Sequence, residues 1–184
     1  YNVKLKGTNS AGCVDSVFKT ITILGPMGTL SYSPINGCTP LTVNFSSTNT
    51  NTAQLNWDMN NGVTQTTTGS STSYTYTTPG MYVPKLLLSD GVSCIVPIQG
   101  PDTIKADYIN ADFTYSAASI CQEGTIQFFD TTLFAVNPVA TRSWTFGDGG
   151  VSSLHNPTHY YTSPGSYTVT LVIGTTQGCK DTIV

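Results

Sequence analysis

The side chains that could carry acid–base or metal chemistry are few and scattered in this sequence. His155 and His159 are four residues apart, a spacing that brings two imidazoles together only on a helix. Pro157 separates them, so we interpret the pair as one loop histidine and one packed histidine. The single glutamate, Glu123, lacks the second group that general acid–base catalysis needs. We therefore expect no enzyme activity.

Asp148 is the carboxylate most easily taken for a metal ligand. It precedes Gly149, and Asp-Gly is a favoured turn pair because glycine tolerates positive φ. Asn61-Gly62 follows Trp57 at the same distance as Asp148-Gly149 follows Trp144, and it is a turn pair without a charge. This correspondence favours a structural role for both pairs. We predict no cofactor and no metal. One alternative stays open, calcium bound near a junction through Asp102, Asp107 or Asp112.

The composition excludes several classes of protein. Charged residues make up 9% of the 184 residues, against roughly 25% in an ordinary domain. With a net charge of −3 there is no basic surface for nucleic acid. No apolar run reaches the ~20 residues of a membrane-spanning helix. The chain begins at Tyr1 inside a predicted strand, and we expect it to be a fragment.

The predicted elements are all strands. Apolar residues recur at every second position, as in Tyr167, Val169, Leu171 and Ile173, and Gly, Pro, Asn or Asp bound each run. This alternation is typical of half-buried strands, and no window has the period of an amphipathic helix. We predict an all-β chain of antiparallel two-sheet sandwiches.

An internal repeat organises the chain. Each copy has a tyrosine followed twelve residues later by a cysteine, and the pairs are Tyr1 and Cys13, Tyr82 and Cys94, and Tyr167 and Cys179. The period of about 80 to 85 residues divides the chain into the last strands of a truncated unit (1–25) and two units (26–105 and 106–184). Proline-containing junctions at 25–28 and 100–102 predict semi-rigid linkage into a rod.

The five cysteines follow the repeat. Cys38 precedes Cys94 by 56 residues, and Cys121 precedes Cys179 by 58. We predict the bridges Cys38–Cys94 and Cys121–Cys179, each within its own unit, and Cys13 unpaired by truncation. Disulfides imply an oxidising, extracytoplasmic compartment. The alternative, a zinc site, lacks Cys-x-x-Cys spacing.

The third copy carries four motifs in a fixed order. They are Trp144-Thr145-Phe146-Gly147-Asp148-Gly149, Asn156-Pro157, His159-Tyr160-Tyr161 and Pro164-Gly165-Ser166-Tyr167-Thr168-Val169. This order resembles the signature of PKD (polycystic kidney disease) domains, although the family prefers Asp at Thr145. The second copy is more degenerate, with Trp57-Asp58-Met59-Asn60-Asn61-Gly62 and no Asn-Pro-x-His element. The resemblance implies immunoglobulin-like β-sandwiches.

The motif residues are expected to have structural roles, as core aromatics or in turns. They are Trp57, Asn61, Gly62, Tyr82, Trp144, Phe146, Asp148, Gly149 and Tyr167. Aromatics outside the repeat pattern are freer to contact sugars at the surface, namely Tyr32, Tyr108, Phe134 and Tyr160.

A short motif, Asp followed by Ser or Thr, occurs four times and is similar to the acceptor motif for O-glycosylation in Bacteroidetes. The acceptors would be Ser16, Thr103, Thr131 and Thr182. The alternative is that Asp-Thr-Ile opens the last strand of a repeat. Glycans would suit a surface with few charges to discourage edge-to-edge strand pairing.

The expected function is structural. The Thr-rich, Cys-containing composition is similar to PKD arrays of large Bacteroidetes surface proteins, such as SprB-type adhesins of gliding cells. We therefore expect a stalk or filament segment of a cell-surface adhesin, located outside the cell. Its partners would be neighbouring repeats, other copies in a filament, or extracellular glycans. The alternative is a carbohydrate- or matrix-binding accessory module of a secreted hydrolase or protease.

Overall fold

The computed structural model describes residues 1–22, 24–117 and 122–184, and all regular elements in these ranges are β-strands. The all-β prediction is confirmed. No helix in the described ranges could cross a membrane. Cys121 lies outside the described residues.

The chain begins with an isolated antiparallel hairpin, β1 (Asn2–Thr8) and β2 (Val14–Thr20). All of its side chains are exposed, and Leu5 retains 69% of its accessible surface. Two strands alone are marginal in water, and this hairpin contributes nothing to either buried core.

Ten strands form the first sandwich. They are β3 (Met27–Ser33), β4 (Asn36–Cys38), β5 (Leu41–Thr50), β6 (Gln54–Asp58), β7 (Thr64–Thr67), β8 (Ser71–Tyr76), β9 (Gly80–Tyr82), β10 (Lys85–Ser89), β11 (Ile95–Gln99) and β12 (Ile104–Asp107). One face is the sheet β3-β5-β8, the other is β11-β10-β6-β7, and a short sheet β4-β12-β9 adjoins them. Strand β5 alternates buried and exposed positions along most of its length. Its buried face joins Trp57 and Leu86 in one core, as the period-two pattern predicts.

Nine shorter strands form the second sandwich. They are β13 (Ile109–Asn110), β14 (Phe113–Tyr115), β15 (Gly124–Asp130), β16 (Leu133–Phe134), β17 (Val139–Thr145), β18 (Val151–Ser152), β19 (Thr158–Tyr161), β20 (Thr170–Thr175) and β21 (Lys180–Ile183). The main sheets are β14-β15-β19 and β18-β17-β20-β21. Their buried side chains form a second core, centred on Trp144 and Phe146.

The sequence predicts a linker between the sandwiches at the proline-containing segment 100–102, but the structure places this segment inside the first sandwich. Gly100 N donates to Pro84 O at 2.8 Å, and the Tyr32 hydroxyl donates to Asp102 O. The segment leads into β12, whose Ile104 and Ala106 are buried in the first core. The chain therefore stays in the first sandwich until Asp107.

The predicted disulfide pairing is wrong. Cys38 is bonded to Cys179, with a Cα–Cα distance of 5.5 Å, so the bridges Cys38–Cys94 and Cys121–Cys179 cannot form. Cys94 and Cys13 are exposed free thiols. Equal spacing of cysteines in a repeat does not tell whether they pair within a unit or between units, and here they pair between units.

Strand direction explains why Cys38 and Cys94 do not meet. Cys38 lies opposite Asp107, the last residue of β12, in the parallel β4–β12 pair. On the other side of β12, Gly80 of β9 lies opposite Ala106, one residue before Asp107. From Gly80 the chain runs away through β9 and β10 before it reaches the turn that contains Cys94. The two cysteines therefore lie at opposite ends of the first sandwich, which we call its distal end (Cys38) and its proximal end (Cys94).

Candidate functional site

The junction between the two sandwiches combines a short connection, a buried carboxylate and a disulfide bond. Ala106 is fully buried in the first core, and Ile109, three residues later, is buried in the second. Only Asp107 and Tyr108 connect them. A connection this short leaves little freedom between the sandwiches, because few backbone dihedrals separate the two packed strands.

Asp107 is the central side chain of this junction and is fully buried. Its Oδ1 accepts hydrogen bonds from Tyr108 N (2.8 Å), Val136 N (3.1 Å) and Asn137 N (3.3 Å). Its Oδ2 accepts one from Asn137 Nδ2 at 3.0 Å. Burial opposes the charge, but these donors outweigh burial and hold the pKa of the Asp107 carboxyl below its usual range. Asp107 thus anchors the loop between β16 and β17 to the end of the first sandwich.

Backbone contacts strengthen the same connection. Thr39 N, next to Cys38, donates to Asp107 O at 2.8 Å, and Ala135 N of the second sandwich donates to Tyr108 O at 3.1 Å. Ala111 N donates to Asp181 Oδ2 at 2.7 Å, which ties the start of the second sandwich to β21.

The disulfide completes the junction. Cys38 is exposed at the end of β4, whereas Cys179 is 2% exposed and belongs to the second core. Cys179 closes the β20–β21 turn, in which Thr175 N donates to Cys179 O at 2.8 Å. The bridge therefore joins an edge strand of the first sandwich to a hairpin turn of the second.

The PKD-like motif forms a second ordered region, inside the second sandwich. Trp144 is fully buried and its Nε1 donates to Leu154 O at 2.9 Å. Tyr161 donates to Phe146 O at 3.0 Å, and the Tyr161 and Tyr167 rings stack at 4.3 Å. Gly149 has a φ of 93° in the turn that follows. These placements agree with the structural roles expected for the motif.

Asp148 and His159 form a hydrogen-bonded pair that sequence analysis missed. Asp148 Oδ2 lies 2.7 Å from His159 Nε2, and its Oδ1 accepts from Gly150 N at 2.9 Å. These hydrogen bonds hold the pKa of the Asp148 carboxyl below its usual range. The His159 ring stacks on Phe146 at 4.2 Å, so it is the packed histidine, while the His155 side chain is 61% exposed.

The first sandwich has a neutral version of this pair. Asn61 Nδ2 donates to Tyr74 Oη at 2.8 Å, and these two residues occupy the repeat positions that Asp148 and His159 occupy in the second sandwich. Tyr76 donates to Met59 O at 3.0 Å and stacks on Tyr82 at 4.4 Å. Between the two sandwiches, Asp148 is replaced by Asn61 and His159 by Tyr74. This paired difference is the signal in the sequence that could have revealed the contact.

A buried carboxylate, Asp130, was also missed. Its side chain is 1% exposed and accepts from Arg142 Nε at 2.6 Å and from Thr132 N at 2.9 Å. Burial opposes its charge, but the hydrogen bonds from Thr132 and Arg142 prevail and lower the pKa of the Asp130 carboxyl. Asn156 of the Asn-Pro element accepts from Asp130 N at 2.9 Å, so this element fastens the end of β15.

The remaining candidate residues are dispersed. Among the residues that the structure describes, no three His, Cys, Asp or Glu side chains form a group suited to a metal. Of the calcium candidates, Asp107 faces N–H donors, and Asp112 Oδ1 accepts from Phe113 N at 2.8 Å. Glu123 is exposed. The glycosylation candidates Ser16, Thr131 and Thr182 are exposed, and Thr103 is half-buried.

The aromatics proposed as sugar contacts divide into two groups. Tyr32 is 9% exposed and belongs to the first core, so it is not available at the surface, and that prediction is wrong. Its position opposite Phe45 in β5 puts it on the inward face. Tyr108, Phe134 and Tyr160 remain between 44% and 51% exposed.

The second sandwich also has an open cavity of about 700 Å³. Its lining includes the aromatic rings of Phe113, Tyr115, Tyr161 and Tyr167. The aromatics outside the repeat pattern, Tyr32, Tyr108, Phe134 and Tyr160, do not line it.

Comparisons with known proteins find a family match for part of the chain and similar solved structures. Residues 110–184 match the model of the PKD domain family. A search of curated proteins finds no match. One similar solved structure comes from work on carbohydrate-binding modules of the β-sandwich superfamily, with 14% identity, a TM-score of 0.40, and 86% of this chain and 95% of that chain covered. Another comes from the fibronectin(III)-like modules of Clostridium thermocellum CbhA, with 14% identity, a TM-score of 0.33, and 85% and 91% covered.

Proposed function

We propose that this chain is a non-catalytic structural segment of an extracellular protein, in which successive β-sandwiches are joined end to end to give length and stiffness. The observation that carries the proposal is the junction. A two-residue connection, the buried Asp107 and the Cys38–Cys179 bridge all hold one sandwich against the next. A protein whose sandwiches moved independently would need none of these.

The proposed location is the cell surface, as part of a stalk or filament of an adhesin of the Bacteroidetes gliding type. Its support is the match to PKD domains over 110–184, the disulfide, and the low charge and high threonine content of the sequence. The chain would position a binding tip and would itself contact neighbouring repeats or other copies in a filament.

Small-angle X-ray scattering tests the structural role. A compact protein of this length has a radius of gyration of about 16 Å. Two sandwiches end to end should give about 20 Å or more, because their longest strands, of 10 and 7 residues, span roughly 33 and 23 Å before loops. We expect the oxidised protein to be extended. A value near that of a compact globule would contradict the proposal.

A variant pair separates the role of the junction from that of folding. Cys38→Ser removes the bridge and should broaden the distribution of interatomic distances while each sandwich keeps its circular dichroism spectrum. Cys94→Ser changes a free, exposed thiol and should leave the scattering curve unchanged.

The second candidate function is glycan or matrix binding as an accessory module, and exposed aromatic rings favour it. Tyr108, Phe134 and Tyr160 are about half exposed, as is Tyr115, and Tyr115 also lines the open cavity. The tyrosine rings among them are suited to stacking on sugars because they combine an apolar face with a polar tip. Retention of the protein on insoluble glycans, lost in Tyr115→Ala and kept in the control Thr114→Ala, would support this candidate.

We also propose that the exposed acceptors Ser16, Thr131 and Thr182 carry O-linked glycans in the native host. Exposure supports the proposal because a transferase must reach the hydroxyl. Protein from the native host with the unmodified mass of the polypeptide would contradict it.

A further inference from the structure

The turns that carry Cys13, Cys94 and Cys179 have the same construction. In each, the backbone N–H four residues before the cysteine donates to the cysteine carbonyl, from Asn9 at 3.0 Å, Asp90 at 3.2 Å and Thr175 at 2.8 Å. In each, the side-chain oxygen of that same residue accepts from the cysteine N–H, at 2.9, 3.0 and 3.3 Å. The three cysteines therefore occupy one structural position, and only Cys179 is bonded.

The Cys94 turn lies at the end of the first sandwich where the chain enters it. Ala53 N donates to Ser89 O at 2.8 Å, immediately before the turn. Asn51, two residues before Ala53, contacts Gly25 O through Nδ2 at 3.4 Å. The Cys179 turn lies at the corresponding end of the second sandwich, because Asp181 accepts from Ala111 N.

The first sandwich thus carries one cysteine at each end. In the first sandwich, Cys94 is at the proximal end and Cys38 at the distal end, where it bonds to the proximal cysteine of the next sandwich. Cys121 stands in the sequence where Cys38 stands, seven residues before the equivalent phenylalanine (Phe128 and Phe45). Only the Cys38–Cys179 pair has both partners in consecutive sandwiches of this chain.

We infer that Cys94 is the attachment site for the distal cysteine of a preceding unit of the same repeat, so that the array is linked by one disulfide at every junction. By the same pattern, Cys121 bonds to the proximal cysteine of a following unit. This inference rests on the proposed end-to-end organisation. It assigns a partner to Cys94, whose thiol is free in this chain, and that partner is defined chemically as a β4-type edge strand ending in a cysteine.

The bond forms by oxidation of two thiols. A disulfide oxidant, such as oxidised glutathione or a disulfide oxidoreductase, exchanges first with one thiol and then with the second. The two protein thiols lose two protons and two electrons, and the oxidant is released as two thiols. Cys94 is suited to this exchange because it is exposed.

The test is a longer chain in the natural register. Because Tyr1–Phe18 aligns with 167–184 at an offset of 166 residues, residues 1–166 followed directly by the complete chain 1–184 give a continuous array. After refolding with oxidised and reduced glutathione, trypsin separates all of the cysteines, since a lysine or arginine lies between each consecutive pair. Cys13 and Cys94 of the first segment and Cys121 of the second copy have no expected partner and are replaced by serine, so that the thiol-containing peptides of Cys13, Cys94 and Cys121 each occur once. Mass spectrometry of the unreduced digest then identifies the pairs.

We expect three bridges in this array. Cys38 of the first segment bonds to Cys13 of the second copy, Cys121 of the first segment bonds to Cys94 of the second copy, and Cys38 of the second copy bonds to Cys179. Cys94→Ser in the second copy should free Cys121 of the first segment for alkylation and leave the other two bridges unchanged.

Two results would overturn the inference. One is Cys94 of the second copy bonded to a cysteine of its own unit, or Cys121 of the first segment bonded to Cys13 of the second copy, because both are pairings within a unit. The other is Cys94 of the second copy fully alkylated while Cys38 of the second copy bonds to Cys179. Scattering from the same array keeps the proposals distinguishable, since a folded-back particle with the expected pairs would contradict only the proposed rod.

Discussion

At the scale of single residues, the charged groups of this chain are structural anchors. The sequence has one arginine, and Arg142 lies against the buried Asp130 at 2.6 Å. Asp148 bonds to His159, and Asp107 bonds to backbone and amide N–H groups. Each of these carboxylates fixes a turn or a loop.

Removal of Arg142 should be costly because it leaves the Asp130 carboxylate buried without its cation. We expect Arg142→Ala to lower the free energy of unfolding by about 3 kcal/mol, measured by urea denaturation. The double variant Asp130→Asn with Arg142→Met should recover part of that loss. Equal stability of Arg142→Ala and the parent would show that the pair is not buried as described.

The Asp148–His159 pair predicts a specific acid sensitivity. Because the folded pKa of Asp148 is lowered, its stabilisation is complete above the unfolded value of about 3.9 and is lost as the pH falls through the folded pKa. The parent should therefore lose more stability than Asp148→Asn between about pH 5 and pH 2. Parallel pH profiles of the melting temperature would be inconsistent with the pair.

The two sandwiches offer a matched exchange at this site. Asp148→Asn with His159→Tyr installs the neutral pair that the first sandwich uses, Asn61 with Tyr74. We expect the double variant to be more stable than Asp148→Asn alone, because the amide regains a hydrogen-bond partner. Additive effects of the two changes in a double-mutant cycle would argue against direct contact.

At the scale of elements, turns and strand edges determine how the repeat closes. Gly147 has a φ of 84°, and a Cβ there would lie 2.7 Å from Thr168 N and O. The first sandwich has Asn60 at this position, with a φ of 61° and its Oδ1 accepting from Val83 N at 2.9 Å. At this position the first sandwich bonds the neighbouring backbone through the Asn60 side chain, whereas the second sandwich has a glycine that lets the backbone of Thr168 approach closely.

Two glycines of the same turn separate strain from steric clash. Gly147→Ala should destabilise the second sandwich by about 2 kcal/mol or more, because it combines positive φ with a backbone clash. Gly149→Ala has a similar φ of 93° but open space around its Cβ, and should cost about 1 kcal/mol. Thermal unfolding measures both, and equal costs would mean that the close approach of Thr168 is absent.

Sequence patterns predicted the strands well and the strand partners poorly. The alternation in β5 and β20 follows from burial of one face, which the order of apolar and polar residues reveals. The parallel pairing of β4 with β12 joins segments nearly 70 residues apart and leaves no local pattern. The position of Cys38 depends on the β4–β12 pairing, so its disulfide partner could not be predicted from the spacing of the cysteines. The Asn61–Tyr74 contact shows that comparison of the two copies holds information that single motifs do not.

At the scale of the whole molecule, two cores are joined through one buried residue and one covalent bond. Asp107 accepts four hydrogen bonds at the junction, and the Cys38–Cys179 bridge closes the other side. The β1–β2 hairpin has the same turn as β20–β21 but no core beneath it. These features are what an array of linked units requires.

Substitution of Asp107 should weaken the junction more than the sandwiches themselves. Asp107→Asn removes the charge that the N–H groups of Val136 and Asn137 face and sets an NH2 group against Asn137 Nδ2 in place of Oδ2, at a cost of about 1–3 kcal/mol. We expect faster hydrogen exchange at the amides of Val136 and Asn137. Asp112→Asn is the control, because Asp112 accepts one bond at an exposed position, and it should leave those amides unchanged.

The pairing of Cys38 is the most direct test of this description. The oxidised 184-residue protein is alkylated without reduction and digested with trypsin, which puts each of the five cysteines in its own peptide. We predict one linked pair, the peptide of Cys38 with the peptide of Cys179, and alkylated peptides for Cys13 and Cys94. A peptide of Cys38 linked to that of Cys94 would mean that each sandwich is closed on itself and that no covalent bond joins one to the next.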